Sequence, residues 1–229
     1  MTDPEPTLLL TRPKPQSEAF LVDCEARAGR RLPAVISPLI RIEQTGEVPK
    51  LDRYTTVIFT SANAVRRVLS SETLTGRIVK TVGERAASLA RAAGAKAEAL
   101  GEDVDAFILA ASRVEAPALV CRGVHSRGDL AARLRDQGIP LDEVVLYDQV
   151  AQPLSPAARQ LLSGEYPVVA PVFSPRTANL LYGQGAMTAS LTVIAMSRAV
   201  ADAWKGPGEV LVADRPNSTS MRALTLKQF

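Results

Sequence analysis

Residues 57–65 read "VIFTSANAV" and residues 172–181 read "VFSPRTANLL". In each, an apolar run ends at a phenylalanine (Phe59 or Phe173), and a helix-like run starts beside a serine, Ser61 or Ser174. Short apolar runs that lead through a small polar residue into an amphipathic pattern mark strand-to-helix corners. The chain writes this transition twice, 113 residues apart.

The likeness extends in both directions from these corners. "LLLTRP" (8–13) and "ALVCRG" (118–123) are apolar runs ending in Arg12 and Arg122, 110 residues apart. Each leads into a helix-like pattern closed by a glycine, Gly29 or Gly138, and then into an extended run, "PAVISPLIRI" or "DEVVLYDQV". "TVGERAASLARAAG" (81–94) faces "AMSRAVADAW" (195–204), which sets Gly83 against Ser197, and Phe107 falls opposite Met221 at the same offset of 114. Matched pairs in one order at nearly constant offset indicate an internal duplication. Each half reads strand, helix, strand, strand, helix, strand, helix, strand, helix. Apolar strands alternating with amphipathic helices predict parallel sheets covered on both faces, an α/β fold present in two similar copies.

Composition narrows the function. The 229 residues are 46% apolar and 22% charged, as expected of a folded chain long enough for one large domain or two ordinary ones. No apolar run approaches the roughly 18 residues that span a bilayer. The first residues, "MTDPEPTLLLTRP", carry acids and prolines where a signal peptide carries bases, so a cytoplasmic location is expected. Two cysteines, Cys24 and Cys121, and one histidine, His125, supply neither a disulfide framework nor a metal-ligand cluster. Cys121 lies within an apolar strand, which favours an inert buried thiol, and His125 lies in the polar turn "RGVHSRGD". The net charge of +3 favours small anions in a general way; aromatics at 4% and the absence of basic runs argue against nucleic acid. Neither G-x-G-x-x-G nor G-x-x-x-x-G-K-[ST] occurs, so no nucleotide cofactor is indicated.

In open α/β sheets, ligands sit beyond the carboxyl ends of the strands. Arg12, Ser61, Gly83, Arg122, Ser174 and Ser197 fall at those ends. A small residue there admits a carboxylate or phosphate to the first-turn N–H groups of the next helix, which carry partial positive charge. The plainer alternative is that Ser61 and Ser174 only cap their helices.

The ordered set "LLTRP", "VIFTSANAV", "VGERAASLARAAG", "CRG", "EVVLYDQV", "VFSPRTANLL", "AMSRAVADA" and "VADRPNSTSM" resembles the uroporphyrinogen-III synthase family, from residue 8 to about 224. The resemblance implies two α/β domains joined by a two-stranded linker, with the active site in the cleft between them. It puts residues 1–37 with 151–229 in one domain and 41–147 in the other, with crossings near 38–40 and 148–150. It implies cyclisation of hydroxymethylbilane, with loss of water and inversion of the terminal pyrrole ring, by a monomer that uses no cofactor or metal. Tyr147 matches a family tyrosine able to hydrogen-bond the leaving hydroxyl, or else an aromatic packed at the hinge. Ser61, Asn63, Ser174 and Ser197 carry over as substrate contacts. Ala86 stands where the family often has threonine, and "MSRAV" replaces a glycine corner. A non-catalytic two-lobed binding protein for a carboxylate-rich small molecule would share these features and is the alternative.

Overall fold

The computed structural model describes residues 4–126 and 128–229. The chain starts with β1 (Thr7–Leu10), in which Leu8, Leu9 and Leu10 are all buried. Helix α1 (Lys14–Ala28) has a proline in its first turn, where the missing N–H costs nothing. It buries Phe20 and Cys24, and β2 (Ala34–Ile36) then lies parallel to β1. The run "PAVISPLIRI" does not continue as one strand. Pro38 has no N–H to give a ladder, while Ser37 and Leu39 donate backward to Leu10 and Thr11. The run therefore splits into β2 and β3 (Ile40–Gln44), which belong to different sheets.

The middle of the chain forms β4 (Thr56–Phe59), α2 (Ala62–Leu69), β5 (Ile78–Val82), α3 (Glu84–Ala92), β6 (Lys96–Gly101) and α4 (Val104–Leu109). A short 3-10 turn precedes β7 (Ala118–Gly123), α5 (Leu130–Asp136) and the long β8 (Leu141–Ala151). These strands and β3 make a sheet in the order β3-β8-β7-β4-β5-β6, parallel from β8 to β6. Leu39 accepts from Gln152 whereas Thr45 donates to Leu146. Partner numbers fall as the chain advances, so β3 and β8 run antiparallel. The return segment adds α6 (Pro156–Leu162), β9 (Val168–Val172), α7 (Pro175–Tyr182), β10 (Leu191–Ala195), α8 (Arg198–Ala203), β11 (Glu209–Val212) and α9 (Ser218–Leu226). Its strands join β1 in an all-parallel sheet ordered β11-β10-β9-β1-β2. Helix α6 has no counterpart in the first half of the chain.

The chain divides into two compact units. Unit 1 comprises residues up to Arg41 and Val150–Phe229; unit 2 is Ile42–Gln149. Both β3 and β8 run through the division. Each sheet carries a core on both faces, following the period-two alternation of strand side chains. In unit 2, Val57 and Phe59 face α2 and α3, while Ile58 and Val120 face Phe107 and Leu134 of α4 and α5. In unit 1, Leu9 and Val193 pack towards α6, α7 and α8, while Leu8, Leu10 and Ile194 meet Phe20 and Met221 of α1 and α9. Burial on both faces is why these strands read as continuous apolar runs.

Candidate active site

In unit 2 the chain leaves β4 through Thr60, whose N–H reaches the carbonyl of Cys121 at 3.2 Å. Ser61 is extended, and its Oγ accepts from the N–H groups of Asn63 (3.2 Å) and Ala64 (3.4 Å). The same oxygen lies 2.8 Å from the Tyr147 hydroxyl. Tyr147 is 4% exposed and belongs to the core beneath α2. Its position depends on Gly123: a β-carbon there would come within 2.5 Å of the ring's Cζ. The β7–β8 register shifts between Arg122 and Gly123, setting Gly123 opposite Tyr147. A phenol is thereby seated over a glycine, with its oxygen at the mouth of α2.

One strand over, Gly83 opens α3 with φ +79°, a conformation that glycine adopts at little cost. Its N–H donates to Gly101 at 2.7 Å, and its carbonyl accepts from the Thr81 hydroxyl at 3.0 Å. No side chain caps α3, so its first-turn N–H groups face outward without an acceptor from a cap. Ala86, in that first turn, is buried and brings no hydroxyl.

Unit 1 repeats the alternation. Ser174 Oγ accepts from the Thr177 N–H at 3.1 Å and lies 2.9 Å from the Thr177 hydroxyl. Ser197, at the start of α8, makes no capping bond from its side chain. The guanidinium of Arg12 stacks over Phe173 at 4.2 Å, and Phe173 in turn meets Phe20 edge to face. Arg12 and Ser174 thus share one end of the unit 1 sheet, as Ser61, Asn63, Gly83 and Tyr147 share one end of the unit 2 sheet.

Arg122 does not join the unit 2 group. Alternation along β7 turns it to the face opposite Cys121 and Tyr147. There its Nε bonds Glu143, which Arg135 also approaches at 3.6 Å, and its Nη1 donates to the Gly123 carbonyl at 2.9 Å. It lines a cavity of about 110 Å³ with Thr60, Ser126 and Asp129. His125 is half exposed, and its Nε2 lies 3.4 Å from Asp148, so the turn residue has a partner next to Tyr147 in sequence. Both cysteines are free and buried; burial pushes the Cys24 thiol up to about 11 and the Cys121 thiol higher still, which leaves no thiolate for nucleophilic chemistry. Among the described residues no group of His, Cys, Asp and Glu is arranged to hold a metal ion, and no helix is long and apolar enough to cross a membrane. Sequence reading did not single out Gly123, Thr177, Arg66 or Arg85. For Gly123 the usable signal was a glycine closing an apolar strand, "CRG".

Parallel sheets with small-residue corners at their carboxyl ends define an α/β protein of the kind that takes its ligand at strand ends. The profile of the family described as Uroporphyrinogen-III synthase HemD matches residues 26–223. The chain belongs to the uroporphyrinogen-III synthase family. It acts in tetrapyrrole biosynthesis, cyclising hydroxymethylbilane to uroporphyrinogen III. Its fold is similar to that of uroporphyrinogen-III synthetase from Helicobacter pylori 26695, with a TM-score of 0.68 at 15% identity over 99% of this chain and 100% of that one. A mutant uroporphyrinogen III synthase from the extremely thermophilic bacterium Thermus thermophilus aligns with a TM-score of 0.52, at 15% identity over 98% of this chain and 100% of that one. No curated protein matches the sequence.

Proposed function

We propose that this chain performs the cyclisation mainly by positioning. Backbone N–H groups at the corners of Ser61, Gly83, Ser174 and Ser197, with Asn63 and Arg12 beside them, hold the substrate's carboxylates. The Tyr147 hydroxyl hydrogen-bonds the departing hydroxyl. Loss of that hydroxyl as water leaves an electrophilic azafulvene. The held chain then presents the substituted carbon of the last ring, forming the spiro intermediate that inverts the ring. Orientation alone supplies up to roughly 7–11 kcal/mol, so no strong acid is required and no cofactor is invoked. The observation that best supports this reading is the 2.8 Å contact between Ser61 Oγ and the Tyr147 hydroxyl, which sets a proton-bearing oxygen beside a backbone corner. Arg122, expected as a substrate contact from its place at a strand end, is engaged with Glu143 and is left outside this contact set.

The same proposal takes the two units as copies of one duplicated unit, with β3 and β8 as the linker. Their matching order of self-capped and uncapped corners supports this. It takes the enzyme as a cytoplasmic monomer; two unpaired, buried cysteines fit a reducing compartment.

The test is the product isomer. Purified protein treated with chelator is given fresh hydroxymethylbilane, and the oxidised products are separated by chromatography. Type III should dominate, with or without chelator. Unaided closure gives type I, so type I alone from a protein that still binds the tetrapyrrole would make it a binding module.

A further inference from the structure

Two arginines outside the proposed contact set stand at the unit 2 corners. Adjacent parallel strands β4 and β5 start α2 and α3 from the same end of the sheet, and both helices bury their apolar sides in the same core. Their first turns are therefore neighbours. Arg85 is the second residue of α3. Arg66 lies one turn into α2, but its Nη1 donates to Asn63 Oδ1 at 3.3 Å, which draws the guanidinium back towards the helix start.

Among the described residues, no carboxylate lies within ion-pair distance of either group. The other arginines of these helices are engaged: Arg67 donates to Ser70 Oγ and the Gly46 carbonyl. Glu84, the acid next to Arg85, is held by Arg91 and Ser88, whose hydrogen bonds bring its carboxyl down to about 2. The Arg85 side chain is exposed as a whole, yet partial loss of hydration, and then the positive charge of Arg66, hold its guanidinium below the ordinary arginine range. Two arginines at neighbouring helix starts, with no carboxylate at ion-pair distance among the described residues and the adjacent acid turned away, suit an anion from outside.

We propose that Arg66 and Arg85 form a two-guanidinium clamp for the carboxylates of one pyrrole ring, with Asn63 as the residue that positions Arg66. The clamp rests on the assignment of a linear tetrapyrrole as the ligand. Planar forks match carboxylates two N–H bonds at a time, and two forks suit a ring that carries two carboxylates.

The variants Arg85→Gln and Arg66→Gln should each raise KM for hydroxymethylbilane about 10-fold, the scale of one charged hydrogen-bonded contact, with kcat changed little. Arg85→Lys, which keeps the charge but not the planar fork, should recover only part of the loss. Without ligand, Arg85→Gln should melt no lower than the parent, since it removes one member of a like-charge pair; a merely structural arginine would lower it. Titration with uroporphyrin, an octacarboxylate, gives Kd independently of turnover and should show the same losses. Unchanged KM and Kd in both Gln variants would overturn the clamp. A parent protein that forms only the type I isomer would overturn the catalytic reading instead, and the uroporphyrin titration would still decide the clamp.

Discussion

The serine corners of the two units differ in what their hydroxyls touch. Ser61 divides its oxygen between the first turn of α2 and the Tyr147 phenol, which comes from a strand 86 residues further on. Ser174 turns its oxygen inward to Thr177, three residues on, by both backbone and side chain. The first corner is tied to β8, the strand that runs through the division between units; the second is a closed local cap. One strand–corner–helix design therefore serves two ends. Unit 2 holds a proton-bearing group at its corner, and unit 1 carries a cation stacked on the aromatic beside its corner.

The sharpest way to break this difference is Gly123→Ala. Its β-carbon would lie 2.5 Å from Cζ and 2.9 Å from the hydroxyl of Tyr147, so the ring must move. Overpacking of this kind costs about 1–3 kcal/mol, and the upper end is expected because the ring sits in a closed core. Denaturant unfolding should show that loss, together with a fall in turnover as the phenol leaves Ser61. An enzyme of unchanged stability and rate would mean that the ring is free to relocate and that its seat has no importance.

Replacing each serine compares the two corners directly. Ser61→Ala removes a cap and also leaves the buried Tyr147 hydroxyl without its partner, so a loss of about 2 kcal/mol is expected. Ser174→Ala removes a cap alone, since the Thr177 hydroxyl can turn to a carbonyl one turn back; about 1 kcal/mol is expected. Equal losses in thermal unfolding would erase the distinction drawn between the corners.

The sequence shows these corners unevenly, and the reasons are physical. The strand at 57–59 is legible because both its faces are covered, which leaves an unbroken apolar run, and Ser61 and Ser174 are legible because capping is local. The placement of Leu8–Leu10 beside Val168–Val172 is not specified by the repeat alone, since a duplicated chain can also fold as two contiguous halves; the interlacing was what the family resemblance implied. The resemblance implied a crossing near 38–40; the run itself shows only an interruption at Pro38, because a proline that breaks a ladder does not say which sheet each side joins. Helix α6 escaped notice because "SPAARQLL" is short and has no partner in the repeat. What the sequence hides is contact between remote residues. The seat of Tyr147 on Gly123 depends on a register shift, and the neighbouring starts of the helices that carry Arg66 and Arg85 depend on α2 and α3 packing on one core. Arg122 looked equivalent to Arg12 by its place at a strand end, but one step of alternation sends it to Glu143.

The smallest expected effect concerns Tyr147 itself. If the phenol delivered a proton to the leaving hydroxyl as a true general acid, Tyr147→Phe would cost turnover roughly 10²-fold or more. The residue is instead 4% exposed, and its hydroxyl is engaged with a serine that caps a helix, an arrangement that fixes an orientation. The ring of phenylalanine fills the same space over Gly123, so the corner keeps its shape and loses one hydrogen bond. A fall of only a few-fold in kcat, with the type III product retained, is therefore expected, measured alongside a melting curve to show that the fold survives. A fall of about 10³-fold at unchanged stability would move the chemistry from the backbone corners to the phenol. The contrast between the two units would then be one between a catalytic unit and a binding unit.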